Sequence, residues 1–273
     1  MHWTEEHKQE LRDHWNAGYG KTKIAHMMGV TIGSICGASR RLNLQNQGLR
    51  GPVILPPDHR AMVNAKTLFP HMVVDSGDAP LKSGAHQRKL SGMVTKGEWR
   101  GNPIYSLSLE ERATCPRSCK EFATCYGNSM PLAKRMKHGE ALEDALWDQL
   151  YNLNRQSPFV VRLHLLGDFY SVDYVHFWHR ALKAFHGLRI FGYTAWQRGT
   201  PVGDAVEELR TKRWKTFAVR TSGAQDGPRT IVIDKPSDRG DAIICPVETG
   251  RATSCGTCSL CWASKKPVAF LRH

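Results

Sequence analysis

Residues 159–168, FVVRLHLLGD, decide the fold. From Phe159 to Leu166 the run is apolar except for Arg162 and His164, and Gly167-Asp168 closes it. An apolar run of this length without polar alternation reads as a strand buried on both faces, as parallel sheets contain. The neighbouring stretches repeat the theme. Upstream, residues 129–154 read as a helix, with Leu142, Leu146, Leu150 and Leu153 at helical spacing. Downstream, Ser171 is placed to cap a helix whose apolar stripe is Val172, Val175, Trp178, Leu182 and Phe185. IYSLSLE (104–110), LRIFGYTAW (188–196), KTFAVRTS (215–222), TIVIDKP (230–236) and DAIICP (241–246) read as further strands, and Val202 to Arg213 as a helix. Strands alternating with helices imply a parallel sheet covered by helices. The expectation is an α/β fold, an open or partial parallel β/α barrel rather than a flat doubly wound sheet.

Three textures divide the chain. Residues 1–44 read as a small all-α module, 45–100 as linker and irregular extension rich in Gly, Pro, Ser and Lys, and 101–273 as a cysteine-rich α/β domain. Lys and Arg number 38 against 25 Asp and Glu, a net charge of +13. That excess favours a polyanionic partner, with DNA as the expected one. No apolar run approaches the roughly 18 residues of a membrane span, and MHWTEEHKQE lacks the apolar core of a signal peptide. The expected location is the cytosol, where cysteine spacing is read as metal-binding or catalytic rather than as disulfides.

Seven of the eight cysteines fall in two sets, and Cys36 stands alone as a small packed residue. Cys115, Cys119 and Cys125 lie in ATCPRSCKEFATCYGN. Three thiolates from one loop can take three corners of a zinc ion or three irons of a four-iron cluster, leaving one position open for substrate or cofactor. Cys245, Cys255, Cys258 and Cys261 lie in CPVETGRATSCGTCSLCW, and four ligands close a site, making it structural or an electron relay. The triplet spacing with a Cys-Pro is nearer a ferredoxin run than a zinc knuckle, so one or two iron-sulfur clusters of the 4Fe-4S kind are favoured and zinc is the alternative.

In a parallel sheet, strand ends gather on one rim. Asp168, Tyr193, Thr194, Arg220 and Thr221 are therefore candidate contacts: Asp168, Tyr193 and Arg220 as catalytic groups, Gly167, Asp168 and Thr194 as cofactor contacts. His176 and His179 sit three apart on one helix without a third ligand nearby, which makes them boundary residues. Asp168, Asp234 and Asp241 would form a metal-dependent nuclease site only if the fold united them.

In the first 44 residues, Thr4 can cap a helix carrying Trp3, Leu11 and Trp15. Lys21 to Met28 makes a second helix ending at Gly29, and Thr31 caps a third bearing Ile35, Arg40, Arg41 and Leu42. This is the order of a helix-turn-helix. WTEEHKQELRDHWNAGYGKTKIAHMMG followed by VTIGSICGASRRLNL resembles the N-terminal DNA-binding motif of the GcrA family of cell-cycle regulators, most closely in Trp3-Thr4, Ile24-Ala25, Gly29-Val30-Thr31, Gly37 and Arg41-Leu42-Asn43-Leu44. The resemblance implies DNA contact through Lys21, Lys23, Ser34, Arg40 and Arg41. Ile32, Gly33 and Ala38 stand where that family tends to carry polar or basic side chains, so phosphates are the expected targets.

The order strand, cysteine loop, helix, strand ending in Gly167-Asp168 resembles the start of radical S-adenosylmethionine enzymes, although the spacing between cysteines is three then five residues rather than three then two. That resemblance implies S-adenosylmethionine on the open iron, with Asp168 accepting from its ammonium. SLSLEERATCPRSCKEFATCYGN, RLHLLGDFYSVDYVHFW, FGYTAW, FAVRTSG and CGTCSLCW together resemble the gene product eighty-eight proteins of mycobacteriophages, which implies phage or prophage origin, hence the host cytosol. The leading expectation is a phage-type iron-sulfur enzyme of radical S-adenosylmethionine kind directed to DNA. The alternative is a non-enzymatic DNA-binding regulator with structural or redox-sensing metal sites.

Overall fold

The computed structural model describes residues 3–16, 19–42, 44 and 53–272, and the chain divides into two compact units at Val53. The first holds α1 (Glu5–Asn16), α2 (Lys21–Met27) and α3 (Ile32–Arg41). Thr4 Oγ1 accepts the His7 N–H at 3.2 Å, and Glu5 and Glu6 occupy the first turn of α1, where the helix dipole favours them. Gly29, at φ 63°, ends the turn after α2, and Thr31 Oγ1 accepts from the Ser34 N–H at 3.1 Å to start α3. Trp3, Leu11, Trp15, Ile24, Ala25, Ile35 and Ala38 form the core of this unit. Three helices with these caps match the sequence reading; Asn43 lies outside the described residues.

The second unit contains α4 (Arg60–Val63), β1 (Val73–Val74), β2 (Lys82–Ser83), β3 (Ile104–Ser106), β4 (Arg135–Met136), α5 (Glu140–Asn154) and β5 (Phe159–Leu163). It continues with α6 (Val172–Ala184), β6 (Leu188–Thr194), α7 (Pro201–Arg213), β7 (Phe217–Ser222), β8 (Arg229–Ile233), β9 (Ile243–Ile244), α8 (Cys255–Cys258), α9 (Leu260–Ala263) and β10 (Val268–Leu271). Eight strands form one sheet in the order β2-β3-β5-β6-β7-β8-β10-β9, parallel except for β2, while β1 and β4 pair separately. The sheet is open, with β2 and β9 at its edges.

From β3 to β8 each added strand lies beside the one before it in the sheet. Right-handed crossovers then lay every connecting helix on the same face. The packing bears this out: Phe159, Val161, Leu163, Leu188, Ile190, Phe217 and Val219 share a core with the apolar stripes of α5, α6 and α7. The alternate residues Val160, Phe191 and Ala218 point to the other face, where they meet Leu90, Val94, Trp99 and Trp262. Trp99 stacks on Trp262 with ring centroids 5.0 Å apart. Residues 54–100, poor in regular structure, thus belong to the second unit, and Leu90, Val94 and Trp99 among them cover the sheet face opposite α5, α6 and α7 together with the C-terminal segment.

Several boundaries differ from the sequence reading: the strands expected over 215–222, 230–236 and 241–246 are β7, β8 and the two-residue β9. The helix expected over 129–154 begins only at Glu140, because Gly139 takes φ 130° and residues before it form a turn and β4. The strand expected over 104–110 narrows to β3, after which the Leu107 and Leu109 N–H groups bond to the carbonyls of Arg162 and Leu166. Among the described residues no helix is long and apolar enough to cross a membrane.

The β5–β6 contact tolerates no side chain at Gly192. It pairs with Leu163, and a Cβ there would overlap the Leu163 carbonyl. Gly192→Ala should lower the chemical unfolding midpoint by the equivalent of more than about 2 kcal/mol. Gly199→Ala, at φ 87° with open space around it, should cost about 1 kcal/mol.

Candidate functional site

The first cysteine loop hangs from a buried ionic frame. Glu111 accepts from Arg135 Nε at 2.7 Å and Nη2 at 3.0 Å, and both side chains are excluded from solvent. Thr67 donates to Glu111 at 2.7 Å, and Arg135 also donates to the carbonyls of Gly127, Met130 and Ala133. Arg112, at φ 67°, donates to Phe122 O and to Asn128 Oδ1. Both ends of the loop are therefore fixed from within.

Cys115, Cys119 and Cys125 lie close enough for their charges to act on one another. Burial raises all three thiols, Cys119 to about 11, and the carboxylate of Asp168 adds to the rise at Cys115 and Cys119. A cation held by these half-buried thiols would favour their ionised form.

Asp168 reaches the loop through Thr114, whose hydroxyl accepts the Asp168 N–H at 3.0 Å and donates to Glu110 O at 2.9 Å. Gly167 turns the chain at φ 78°, and a Cβ there would stand 2.6 Å from both Leu109 Cβ and Thr114 Oγ1. The Asp168 carboxylate accepts from Phe169 N–H (2.8 Å), Thr194 Oγ1 (2.8 Å) and Ala195 N–H (2.7 Å). It straps the ends of β5 and β6 together and keeps one acceptor position in reserve. Burial outweighs these donors and pushes its carboxyl up to about 7.

The second cysteine set lies on the sheet face opposite α5, α6 and α7, three of its members on the short helices α8 and α9. Cys245, Cys255, Cys258 and Cys261 line one cavity with Lys89, Tyr193 and Phe270. The 54–100 segment holds this set in place: Cys255 N–H donates to Lys89 O at 2.7 Å, and Gly256 N–H to Leu90 O at 3.1 Å. Arg220, wholly buried, donates to the carbonyls of Cys261, Ser264 and Lys266 and so clamps α9 onto β7. The Tyr193 hydroxyl lies 2.9 Å from Cys261 Sγ. All eight cysteines are free thiols. Among the described residues no group of three or more His, Cys, Asp or Glu side chains is arranged to hold a metal ion.

The strand-end candidates thus separate by face. Thr194 joins Asp168, and Thr221 accepts from Arg210 at 3.1 Å, whereas Tyr193 and Arg220 face the second cysteine set. His176 is exposed and His179 half-buried on α6. The three acids of a nuclease site are not brought together: Asp234 pairs with Arg272 and Asp241 with Arg229 at the surface, while Asp168 is buried. Sequence reasoning missed Glu111, Arg135 and Arg162. The charged run Glu110-Glu111-Arg112 before the loop, and a lone Arg162 inside an apolar strand, were the available signals.

In the helical unit, Arg40 and Arg41 are exposed at the end of α3, Ser34 is half-buried in its first turn, and Ile32 is exposed beside it. On α2 the Lys23 ammonium lies 4.1 Å from the Tyr19 ring and Lys21 5.6 Å from Trp15. A capped third helix with cations at its end can meet a phosphate backbone. Residues 1–96 match the GcrA cell cycle regulator family. The GcrA match continues past the helical unit into the segment that covers the second cysteine set. No curated protein and no solved structure matches the chain.

Asp168 makes stability depend on pH. Its folded carboxyl holds a proton to about pH 7 whereas the unfolded one releases it near 4, so its contribution falls as pH rises between those values. His164, lowered to about 3 by burial, contributes the opposite slope, since the unfolded chain takes up its proton below about 6.5. Chemical unfolding of wild type and Asp168→Asn from pH 4 to 7 separates the two. The variant should show a more positive slope of stability with pH than wild type.

Proposed function

We propose that the chain is a DNA-associated regulator in which a GcrA-like helix-turn-helix unit brings an α/β cysteine unit to DNA in the cytosol. The GcrA match over residues 1–96, with cations on a capped third helix, carries this reading. The net charge of +13 supports a polyanionic partner. Anisotropy of a labelled duplex with the full-length protein, titrated at several salt concentrations, tests it. Affinity should fall linearly on logarithmic axes, and replacing Arg40 and Arg41 by Ala should reduce the slope by about 2. No binding at low salt, or a slope indifferent to these arginines, would overturn the reading.

A second reading, an iron-sulfur enzyme of radical S-adenosylmethionine type, is favoured by one observation: three half-buried thiols lie beside Asp168 at a β5 end whose crossover helices all lie on one face, as in a partial β/α barrel. The donor chemistry of both sets suits a cluster. The same thiolates could take zinc instead, which is the alternative occupant. Cys115, Cys119 and Cys125 would hold the cluster that supplies one electron to S-adenosylmethionine, Asp168 would accept from the methionine ammonium with its remaining acceptor position, and Thr194 would hold Asp168 in place. Cys245, Cys255, Cys258 and Cys261 would hold an auxiliary cluster. Protein purified without oxygen should carry iron and sulfide, with Cys115→Ala losing one centre and all cleavage of S-adenosylmethionine. Colourless protein, or cleavage unchanged in the variant, removes this reading and leaves the first.

A further inference from the structure

The charge of the chain is unevenly placed. Residues 81–102 and 251–272 supply Leu90, Val94, Trp99 and Trp262 to the sheet face opposite α5, α6 and α7. Between them they carry 9 Lys and Arg against one acid, Glu98, and so hold +8 of the net charge of +13. Basic residues gathered on one covering, rather than spread over the surface, are the footprint of a polyanion. Lys89 pairs with Glu248, and Arg272 with Glu121 and Asp234. Lys96, Arg100, Arg251 and Lys265 are exposed and, among the described residues, make no ion pair.

Two of these free cations converge. Lys96 and Arg251 line one cleft of about 420 Å³ that no carboxylate lines. Both stand on fixed backbone. The Lys96 carbonyl accepts from Ser259 Oγ at 3.3 Å, and the neighbouring Thr95 N–H donates to Gly256 O at 3.0 Å. The turn that carries Arg251 is closed by the Ala252 N–H on Pro246 O at 3.0 Å. The remaining walls are largely aliphatic, with Ile243, Pro246, Leu260 and Ala263, and contain no aromatic ring. Cations over aliphatic walls suit a sugar-phosphate backbone, whereas an unpaired base would call for a ring to stack on. Cys258, Ser259 and Leu260 line both this cleft and the cavity of the second cysteine set, so the thiols stand behind one of its walls.

We propose that this cleft is a DNA contact of the α/β unit's own, in which Lys96 and Arg251 each hold a backbone phosphate. DNA as the partner rests on the regulator reading; the contact itself reads no sequence.

Anisotropy titrations of the full-length protein with labelled duplexes of two unrelated sequences, at several salt concentrations, test it. Three double variants are compared with wild type: Lys96→Ala with Arg251→Ala, Arg40→Ala with Arg41→Ala, and Lys134→Ala with Lys183→Ala. The last removes two exposed cations from elsewhere in the α/β unit and so controls for net charge. The cleft pair should reduce the salt slope by about 2 and weaken binding about tenfold, equally for both sequences, whereas the Lys134 and Lys183 pair should change the slope by less than about 1. The chemical unfolding midpoint of the cleft variant should match that of wild type, because two exposed side chains without ion pairs are removed. An unchanged slope in the cleft variant, an equal loss in the Lys134 and Lys183 variant, or a lowered midpoint would overturn the assignment. The regulator reading then stands if Arg40 and Arg41 still set the slope. A slope that answers to the cleft pair and not to Arg40 and Arg41 keeps the cleft and removes the helix-turn-helix contact; no binding by wild type removes both.

Discussion

Glu111 and Arg135 meet where water does not reach, and much of the first cysteine loop depends on that meeting. Either charge alone in the interior would be expensive, and breaking such a pair by removing one partner costs about 3–5 kcal/mol. Here the pair does more than cancel charge. Arg135 extends its remaining donors to Gly127, Met130 and Ala133, and Glu111 takes the Thr67 hydroxyl, so three segments distant in sequence converge on one ion pair. The backbone between Arg112 and Asn128, which carries all three thiols, is left little freedom in its path. A loop of this length without regular structure would otherwise have to be ordered by its few apolar contacts.

The second cysteine set is held by a different device. Arg220 collects carbonyls from Cys261 to Lys266, and the covering segment contributes the Lys89 and Leu90 carbonyls to the start of α8. Both devices present buried cations to main-chain oxygens that no helix or strand satisfies. The sheet is the common base: alternate residues of β5, β6 and β7 commit one face to α5, α6 and α7, freeing the other for the C-terminal segment that carries the second set.

That division also explains what the amino-acid sequence revealed. Periodicity reports repetitive burial, so β5 to β8, α6 and α7 could be read directly, as could the caps at Thr4, Thr31 and Ser171. Cysteine spacing disclosed the two sets. It could not disclose that residues 54–100 cover the sheet, since Leu90, Val94 and Trp99 follow no helical or strand period and gain their meaning only from Trp262, far along the chain. The ionic frame was hidden for a related reason: Glu111 and Arg135 look like surface charges until the fold buries them. Arg220 was legible as a strand-end residue, but its use as a clamp depends on carbonyls that no side-chain pattern encodes.

The charge distribution bears on how nucleic acid would engage the protein. Residues 1–53 hold 7 Lys and Arg against 4 Asp and Glu, leaving 31 against 21 for the rest of the chain. The helical unit that carries the GcrA resemblance is therefore about as basic for its length as the rest of the chain, and most of the excess charge, +10 of +13, belongs to the α/β unit. Several of the larger unit's cations are buried on carbonyls or paired, Arg135, Arg210 and Arg220 among them, and contribute little to an external field. Exposed ones such as Lys96, Arg100, Lys134 and Lys265 remain. A polyanion drawn to the chain would thus feel the α/β unit as well as α3, and helix-turn-helix contacts would set orientation on a duplex already attracted by a broader field. Under that arrangement the helical unit need not bind tightly by itself, which is consistent with an α3 whose first turn offers Ile32 and Gly33 where base-reading side chains would stand.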